Sequence, residues 1–174
     1  MPALWVALAP ARTVDSAALR GNYVASMRRY IGARYVWGGE TRLGIDCSGL
    51  VRCGLRDACL RRGLATANAG LVRQSVWLWW HDASARTLGT GWGGRLRRLG
   101  ETSALNKADY ELLQPGDVAV SESGVHTLAY QGNRVWLQAE FGHGGVVASP
   151  APDQSEPWFR SPMMLLRWES LAPE

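Results

Sequence analysis

The sequence predicts an α+β fold in which helices precede an antiparallel sheet. Apolar residues recur at helical spacing in two early segments, whereas residues from 117 onward alternate between apolar and polar. Helices that are followed by strands, and do not alternate with them, are typical of α+β proteins. The 174 residues are enough for one core but too few for two ordinary domains. We therefore expect one domain over 15–174 behind an N-terminal arm over 1–14.

Two helices are predicted ahead of the sheet. The first begins at Ser16, where Asp15 can cap it, and ends near Gly32. The second begins at Cys47, directly after a glycine-rich loop, and has an apolar stripe along one face. Gly63 is placed to end this second helix, because glycine is common just past a helix C-terminus.

The sheet is predicted from three alternating segments, which are 117–121, 125–131 and 134–140, and from two further strands over 146–149 and 163–168. Gly132-Asn133 forms a turn between the second and third of them. An insertion over 64–113, rich in Trp, Gly and Arg, separates the helices from the sheet. Within it we expect a loop over 89–100 and a short helical turn over 109–113.

Composition and charge exclude some classes of protein. The net charge is only +4, and the basic residues, all but one of them arginine, are scattered along the chain. A nucleic-acid-binding surface is therefore not predicted. No apolar run reaches the roughly 18 residues of a membrane span. The apolar start of the chain is short and lacks a positive leading region, so we expect a packed or disordered arm, with a truncated or atypical secretion signal as the alternative.

The three cysteines are too few and too badly spaced to form a disulfide framework. Cys53 and Cys59 lie six residues apart on the second helix, a rise of about 9 Å, which is too far for a disulfide. They also point to different faces, so a shared metal is not predicted. We expect both to be structural, which leaves Cys47 as a free thiol to explain.

Cys47 is placed to act as a nucleophile. The unpaired amides at a helix N-terminus favour an anion, and a thiolate is the reactive form of cysteine. Such a thiol needs a histidine to exchange protons with it. Of the three histidines, His126 lies in a predicted strand, whereas His143 lies in a glycine-rich loop and His81 ends the Trp-rich segment. His126 is therefore the preferred base.

A third polar group must orient the imidazole, and the turn between the strands decides which one does so. A turn centred on Gly132 places Gln138 opposite His126. A turn centred on Asn133 places Glu140 opposite instead, with Gln138 as a diagonal neighbour. A two-residue Gly132-Asn133 turn would move Gln138 to the other face of the sheet. The catalytic interpretation therefore predicts a turn of odd length.

The motifs around these residues resemble one known family. Tyr-Val-Trp-Gly-Gly at 35–39 is followed by Gly-Ile-Asp-Cys-Ser-Gly-Leu-Val at 44–51, and Leu-Gln-Pro-Gly-Asp-Val stands at 113–118. The His126 strand, the turn and the Gln138 strand then follow in order. This pattern resembles the NlpC-type cell-wall peptidases, which are small papain-like cysteine hydrolases. The resemblance covers roughly residues 20–140 and implies a papain-like fold.

The resemblance also implies a role for each matching residue. Cys47 would be the nucleophile, His126 the general base and acid, and Gln138 the orienting residue, with Glu140 in reserve. Four further residues would bind the substrate, namely Tyr35, Trp37, Asp46 and Ser48. Tyr35 and the amide of Cys47 would stabilise the oxyanion. No metal and no organic cofactor is implied.

The implied substrate is the peptide stem of bacterial peptidoglycan, cut at the D-γ-glutamyl–diamino-acid bond in the periplasm or cell wall. Relatives of this bare kind include wall-remodelling enzymes, phage lysins and antibacterial effector toxins, and a toxin would have an immunity or inhibitor protein as its partner. Two alternatives stay open. One is a cysteine amidase or acyltransferase acting on another substrate, and the other is a non-catalytic wall-binding module.

Overall fold

Helices and an antiparallel sheet pack against each other in the computed structural model, which describes residues 2–172. The prediction of an α+β fold is thereby confirmed. Met1, Pro173 and Glu174, at the outer ends of the expected arm and domain, lie outside the described residues. In the part of the chain that is described, no helix combines the length and the apolar character needed to cross a membrane.

The helices are α1 (Pro2–Leu8), α2 (Ser16–Arg28), α3 (Cys47–Ala65), α4 (Ala69–Trp80) and α5 (Ala85–Gly89). The predicted starts of α2 and α3 are both confirmed. Asp15 caps α2 by accepting a hydrogen bond from the amide of Ala18 at 2.9 Å. The N-terminal arm contains α1, which packs on α4, and Arg73 of α4 donates to the carbonyl oxygens of Val6 and Ala9.

The predicted end of α3 at Gly63 is wrong. The helix continues through Gly63 to Ala65. A β-carbon at position 63 would lie 2.7 Å from Cγ2 of Val72 in α4. Glycine is therefore needed at this position because α3 and α4 approach each other closely, and the position has no role in ending the helix.

The main sheet has six antiparallel strands in the order β3-β8-β4-β5-β6-β7. Their bounds are β3 (Leu96–Thr102), β4 (Val118–Ser121), β5 (Thr127–Gly132), β6 (Val135–Glu140), β7 (Gly145–Pro150) and β8 (Met163–Trp168). Two shorter strands, β1 (Glu40–Thr41) and β2 (Gly44–Ile45), form a separate hairpin before α3.

The insertion is more regular than the sequence indicated. Residues 64–113 supply α4, α5 and β3, so the expected loop over 89–100 is wrong in its second half. β3 exists because it pairs along its length with β8, a partner about 70 residues away that no local pattern reveals. The expected helical turn over 109–113 is a non-helical turn, and a short 3₁₀ helix at Leu105–Lys107 precedes it.

The turn between β5 and β6 contains two residues, Asn133 and Arg134. Both have positive φ angles, 52° and 60°, as a type I′ hairpin turn requires. The expected Gly132-Asn133 turn is therefore wrong by one position. The ladder also shifts its register between Tyr130 and Gly132, which leaves Gln131 as an extra residue in β5.

This bulge fixes which residues of β6 face His126. On the His126 side of the bulge, Tyr130 pairs with Trp136. The same register, extended toward the start of β5, places Glu140 opposite His126. Gln138 is then a diagonal neighbour of His126 on the same face of the sheet. This is the register expected from a turn centred on Asn133. The bulge thus keeps Gln138 on the face of His126 although the turn itself has two residues.

The sheet is apolar on both faces. One buried cluster joins α2, α3 and α4 to the sheet and includes Tyr23, Leu50, Leu55 and Trp168. A second cluster, around Trp136 and Phe159, covers the other side. α3 therefore packs along β5 and β6, which brings its first turn close to the start of β5.

Candidate active site

The first turn of α3 is held by a single carboxylate. Asp46 accepts hydrogen bonds at Oδ1 from the Ser48 hydroxyl (2.9 Å) and the Gly49 amide (2.6 Å), and at Oδ2 from the Gly38 amide (2.8 Å). It therefore caps the helix and fixes the preceding loop to it. Cys47 is consequently fixed as the first helical residue, with its side chain 6% exposed.

The environment of Cys47 opposes ionisation. Burial raises the pKa of its thiol to about 11, although the backbone amides of Thr127, Ser48 and Cys47 itself act in the opposite direction by favouring the thiolate. The expectation from the helix N-terminus alone was a stabilised thiolate. In the folded chain, burial outweighs that effect, so the neutral thiol is the favoured form.

His126 lies immediately before β5 and is held through its backbone. Its amide donates to the Ser121 hydroxyl at 3.1 Å, and its carbonyl oxygen accepts from the Ser121 amide at 3.0 Å. The indole of Trp158 stacks on its ring, with centroids 4.4 Å apart and planes 17° apart. The imidazole is therefore almost completely buried, at 4% exposure.

Gln138, on β6, makes the direct contact with His126. Its Oε1 lies 2.9 Å from Nε2 of His126, and Gln138 is fully buried. Burial lowers the pKa of His126 from its ordinary value, and this effect is opposed by the hydrogen bond to Gln138 and by the charges of Glu140 and Glu156. Neutral imidazole and neutral thiol are therefore both favoured at rest.

Two polar residues that sequence reasoning missed extend this contact. Nε2 of Gln138 donates to Oε2 of Glu156 at 2.9 Å and to the Ser149 hydroxyl at 3.3 Å. The same Oε2 lies 2.8 Å from Nε2 of His143. Glu156 stands in an irregular proline-rich segment, and no spacing in the sequence connects it with His126. Its adjoining Pro-Trp pair is the only local sign of an ordered turn.

A pocket of about 320 Å³ lies beside Cys47. Its walls include all four residues expected to bind the substrate, Tyr35, Trp37, Asp46 and Ser48. Trp37 is 82% exposed, and Tyr35 is partly buried with its ring edge-on to Phe141. A further part of the wall comes from the insertion and contains Asp82, Ser84 and Arg86.

The remaining candidate residues lie outside this contact. The carboxylate of Glu140 accepts from the His143 amide at 3.0 Å.

Cys53 and Cys59 are buried deeper in α3, and burial raises the pKa of each thiol to about 12. All three cysteines lie in the described part of the chain, and none of them forms a disulfide. Within residues 2–172, no three His, Cys, Asp or Glu side chains are grouped so as to hold a metal ion.

Arg52 connects the insertion to the nucleophile helix. It is 2% exposed and forms ion pairs with Glu40 and, at 2.8 Å, with Asp82. It also donates to the carbonyl oxygens of Leu78 (3.1 Å) and His81 (2.8 Å) at the end of α4. The pocket wall that contains Asp82 is therefore fixed to the helix that carries Cys47.

Comparison with known proteins gives one family and several similar folds. The family model described as "NlpC/P60 family" matches residues 32–161. No curated protein matches the sequence. The P60 domain of the antigen MAP1204 from M. avium subspecies paratuberculosis has a TM-score of 0.55 and 20% identity, with 88% of this chain and 97% of that chain covered.

Two proteins of Trichomonas vaginalis have the same fold. NlpC1 has a TM-score of 0.56 at 15% identity, covering 90% of this chain and 46% of that one. NlpC2 has a TM-score of 0.55 at 19% identity, covering 90% and 48%. The chain thus spans about half the length of these two proteins. The likeness to the P60 domain and to these proteins confirms the predicted papain-like fold.

Proposed function

Because the chain belongs to the NlpC/P60 family, as its motifs indicated, we propose that it is a cysteine peptidase that hydrolyses the peptide stems of bacterial peptidoglycan. The proposed bond is the one between D-γ-glutamyl and the diamino acid, and the proposed place of action is the periplasm or cell wall. The observation that carries the proposal is the 2.9 Å contact between His126 and Gln138, together with a pocket lined by Cys47 and by Val125, the chain neighbour of His126.

In the proposed mechanism the thiol loses its proton only when it attacks. His126, kept neutral by burial, accepts the proton of Cys47 as the sulfur bonds to the stem carbonyl carbon. The amide of Cys47 and the hydroxyl of Tyr35 stabilise the oxyanion. When the C–N bond breaks, His126 returns the proton to the departing amine. His126 then takes a proton from water as its oxygen attacks the thioester carbonyl, and it gives this proton to the Cys47 sulfur as the C–S bond breaks and the acid leaves.

We assign substrate choice to the pocket wall supplied by the insertion. Stem peptides carry free carboxylates, and the guanidinium of Arg86 is the cationic group among the residues that line the pocket. Arg86→Ala should raise KM several-fold and leave kcat within about twofold, because the group would bind substrate and transition state alike. A fall in kcat at unchanged KM would contradict this role.

The test of the function is mass spectrometry of purified muropeptides after incubation with the protein. The expected products are the two fragments of the D-γ-glutamyl–diamino-acid bond, with one water added, and no products with Cys47→Ala. Addition of amine or alcohol acceptors separates hydrolysis from acyl transfer, since a transferase would yield acceptor adducts. Intact muropeptides with the wild-type protein would overturn the proposal.

A further inference from the structure

A line of hydrogen bonds runs inward from His126 and ends at a buried acid. His126 Nε2 contacts Gln138 Oε1 at 2.9 Å, and Gln138 Nε2 contacts Glu156 Oε2 at 2.9 Å. His143 Nε2 reaches the same carboxylate oxygen at 2.8 Å. Glu156 is therefore one side chain removed from the imidazole, and neither Glu156 nor Gln138 lines the substrate pocket.

Glu156 is built into this position. Its side chain is 3% exposed, and a carboxylate so deeply buried needs hydrogen-bond donors. Besides Gln138 and His143, the Trp158 amide donates to its Oε1 at 3.3 Å. That bond caps the 3₁₀ helix Pro157–Arg160, which carries the indole stacked on His126. One acid thus holds both the amide and the aromatic ring that contact the imidazole.

Only one arrangement of hydrogen-bond donors and acceptors is possible along this line. A carboxylate only accepts, so the NH₂ of Gln138 must face Glu156. The amide oxygen of Gln138 then faces His126, and since that oxygen also only accepts, Nε2 of His126 must carry a proton. In a neutral imidazole the other nitrogen, Nδ1, is then the acceptor.

We propose that Glu156 is a positioning residue that selects the Nε2–H tautomer of His126 by fixing the orientation of the Gln138 amide. If the carboxylate were absent, Gln138 could rotate its NH₂ toward His126. That orientation stabilises the Nδ1–H tautomer, in which Nδ1 cannot accept the proton of Cys47. The catalytic consequence depends on the function proposed above, but the tautomer assignment does not.

Side-chain ¹⁵N NMR of the histidines tests the assignment without any substrate. At about pH 8, where His126 is neutral, wild-type protein should show only the Nε2–H tautomer of His126. Glu156→Gln keeps the size of the side chain but can offer Gln138 either an oxygen or an NH₂. This variant should therefore populate the Nδ1–H tautomer. Glu111→Gln, which removes an exposed carboxylate, should leave the His126 signals unchanged.

Kinetics test whether Glu156 acts through Gln138. Glu156→Gln should lower kcat roughly 10-fold to 100-fold, the range found for groups that orient metal-bound imidazoles from behind, with KM within about twofold. Since Glu156 also raises the pKa of His126, the acid limb of the pH–rate profile should move to lower pH. In a Gln138→Ala background, the same change should alter kcat by no more than about twofold, because the link is already broken.

Several results would overturn the proposal. One is a wild-type His126 protonated at Nδ1, and another is a folded Glu156→Gln variant with unchanged tautomer signals. Additive losses in the double variant would show that Glu156 acts by another route. A wild-type protein that cleaves no stem peptide but shows the Nε2–H tautomer, lost in Glu156→Gln, would refute the proposed function and leave the tautomer assignment intact.

Discussion

The first turn of α3 and its later turns each carry a cysteine thiol, in two different environments. Cys47, Cys53 and Cys59 are all buried, and burial raises the pKa of each thiol, to about 11, 12 and 12 respectively. Only Cys47 has backbone amides that favour its thiolate and lines the pocket. Burial is therefore common to all three, and a useful nucleophile is distinguished by its adjacent amides and its access to a cavity.

The largest difference should appear in activity. Cys47→Ala is expected to lower kcat/KM on stem peptides by roughly 10⁶-fold, as for removal of the nucleophile from a catalytic triad. Cys53→Ala is the matched control, since Cys53 lies further along the same helix and does not line the substrate pocket. This variant should retain activity within about twofold. Circular dichroism should show both variants folded. Equal losses of activity in the two variants would show that the first turn of α3 is no more important for catalysis than the turns that follow it.

The next largest effect is expected in the free energy of unfolding. Arg52→Met leaves the carbonyl oxygens of Leu78 and His81 without their donor and removes the ion-pair partner of Glu40, which is itself only partly buried, so urea denaturation should show a loss of about 2 kcal/mol. The control is Arg56→Met on the same helix, since Arg56 pairs with its neighbour Asp57 nearer the surface. That change should lower the free energy of unfolding by less than about 1 kcal/mol. Similar losses of unfolding free energy in the two variants would show that the contacts between Arg52 and the insertion stabilise the fold no more than a surface ion pair does.

Alkylation should separate the thiols by rate. Iodoacetamide is expected to modify Cys47 at least about tenfold faster than Cys53 or Cys59 in folded protein, because only Cys47 lines a cavity. With its pKa raised toward 11, the rate at Cys47 should still be rising above pH 8.5. Peptide mapping by mass spectrometry at a series of pH values gives both results. A rate that levels off below neutral pH would reveal a preformed thiolate and contradict the neutral resting state.

The smallest effect is expected at the caps. Asp46→Ala removes three hydrogen bonds and should lower the free energy of unfolding by about 1–2 kcal/mol. Asp15→Ala removes the exposed cap of α2 and a 3.5 Å surface ion pair with Arg62, and it should cost about 0.5–1 kcal/mol. Thermal or urea unfolding of the two variants measures the difference. A larger loss at Asp15 would mean that the extra bonds of Asp46 do not stabilise the first turn of α3.

Elements with local signals could be predicted from the sequence. Asp15 and Asp46 are capping residues directly before helices, and both helix starts follow from them. The apolar run over 163–168 likewise gives β8 with its observed bounds. In these cases the residues that define the element lie within a few positions of it.

Elements that depend on distant partners could not be predicted. β3 forms because β8 pairs with it, and its own sequence is arginine- and glycine-rich. Gly63 illustrates the same limit, because its neighbour Val72 lies on another helix. α4 did have a local signal, since Asn68 caps it through the amides of Gly70 and Leu71, but its tryptophans obscured the helical period.

The candidate site divides in the same way. The motifs point to Cys47, His126 and Gln138, whereas Glu156 and Trp158 come from an irregular segment that only the folded chain brings to the imidazole. The register between His126 and Gln138 depended on one extra residue, Gln131, and an extra residue leaves no trace in an alternating pattern.

The position of β8 within the sheet has a consequence for how the protein is made. β8 lies between β3 and β4, so both of those strands leave the ribosome before the strand that joins them has been translated. Until then each exposes an unpaired edge, which is a hazard for aggregation. We therefore expect nascent chains arrested before residue 163 to be digested rapidly by protease, and released chains that include β8 to be resistant. Protease resistance in the chains arrested before residue 163 would show that the sheet forms without β8.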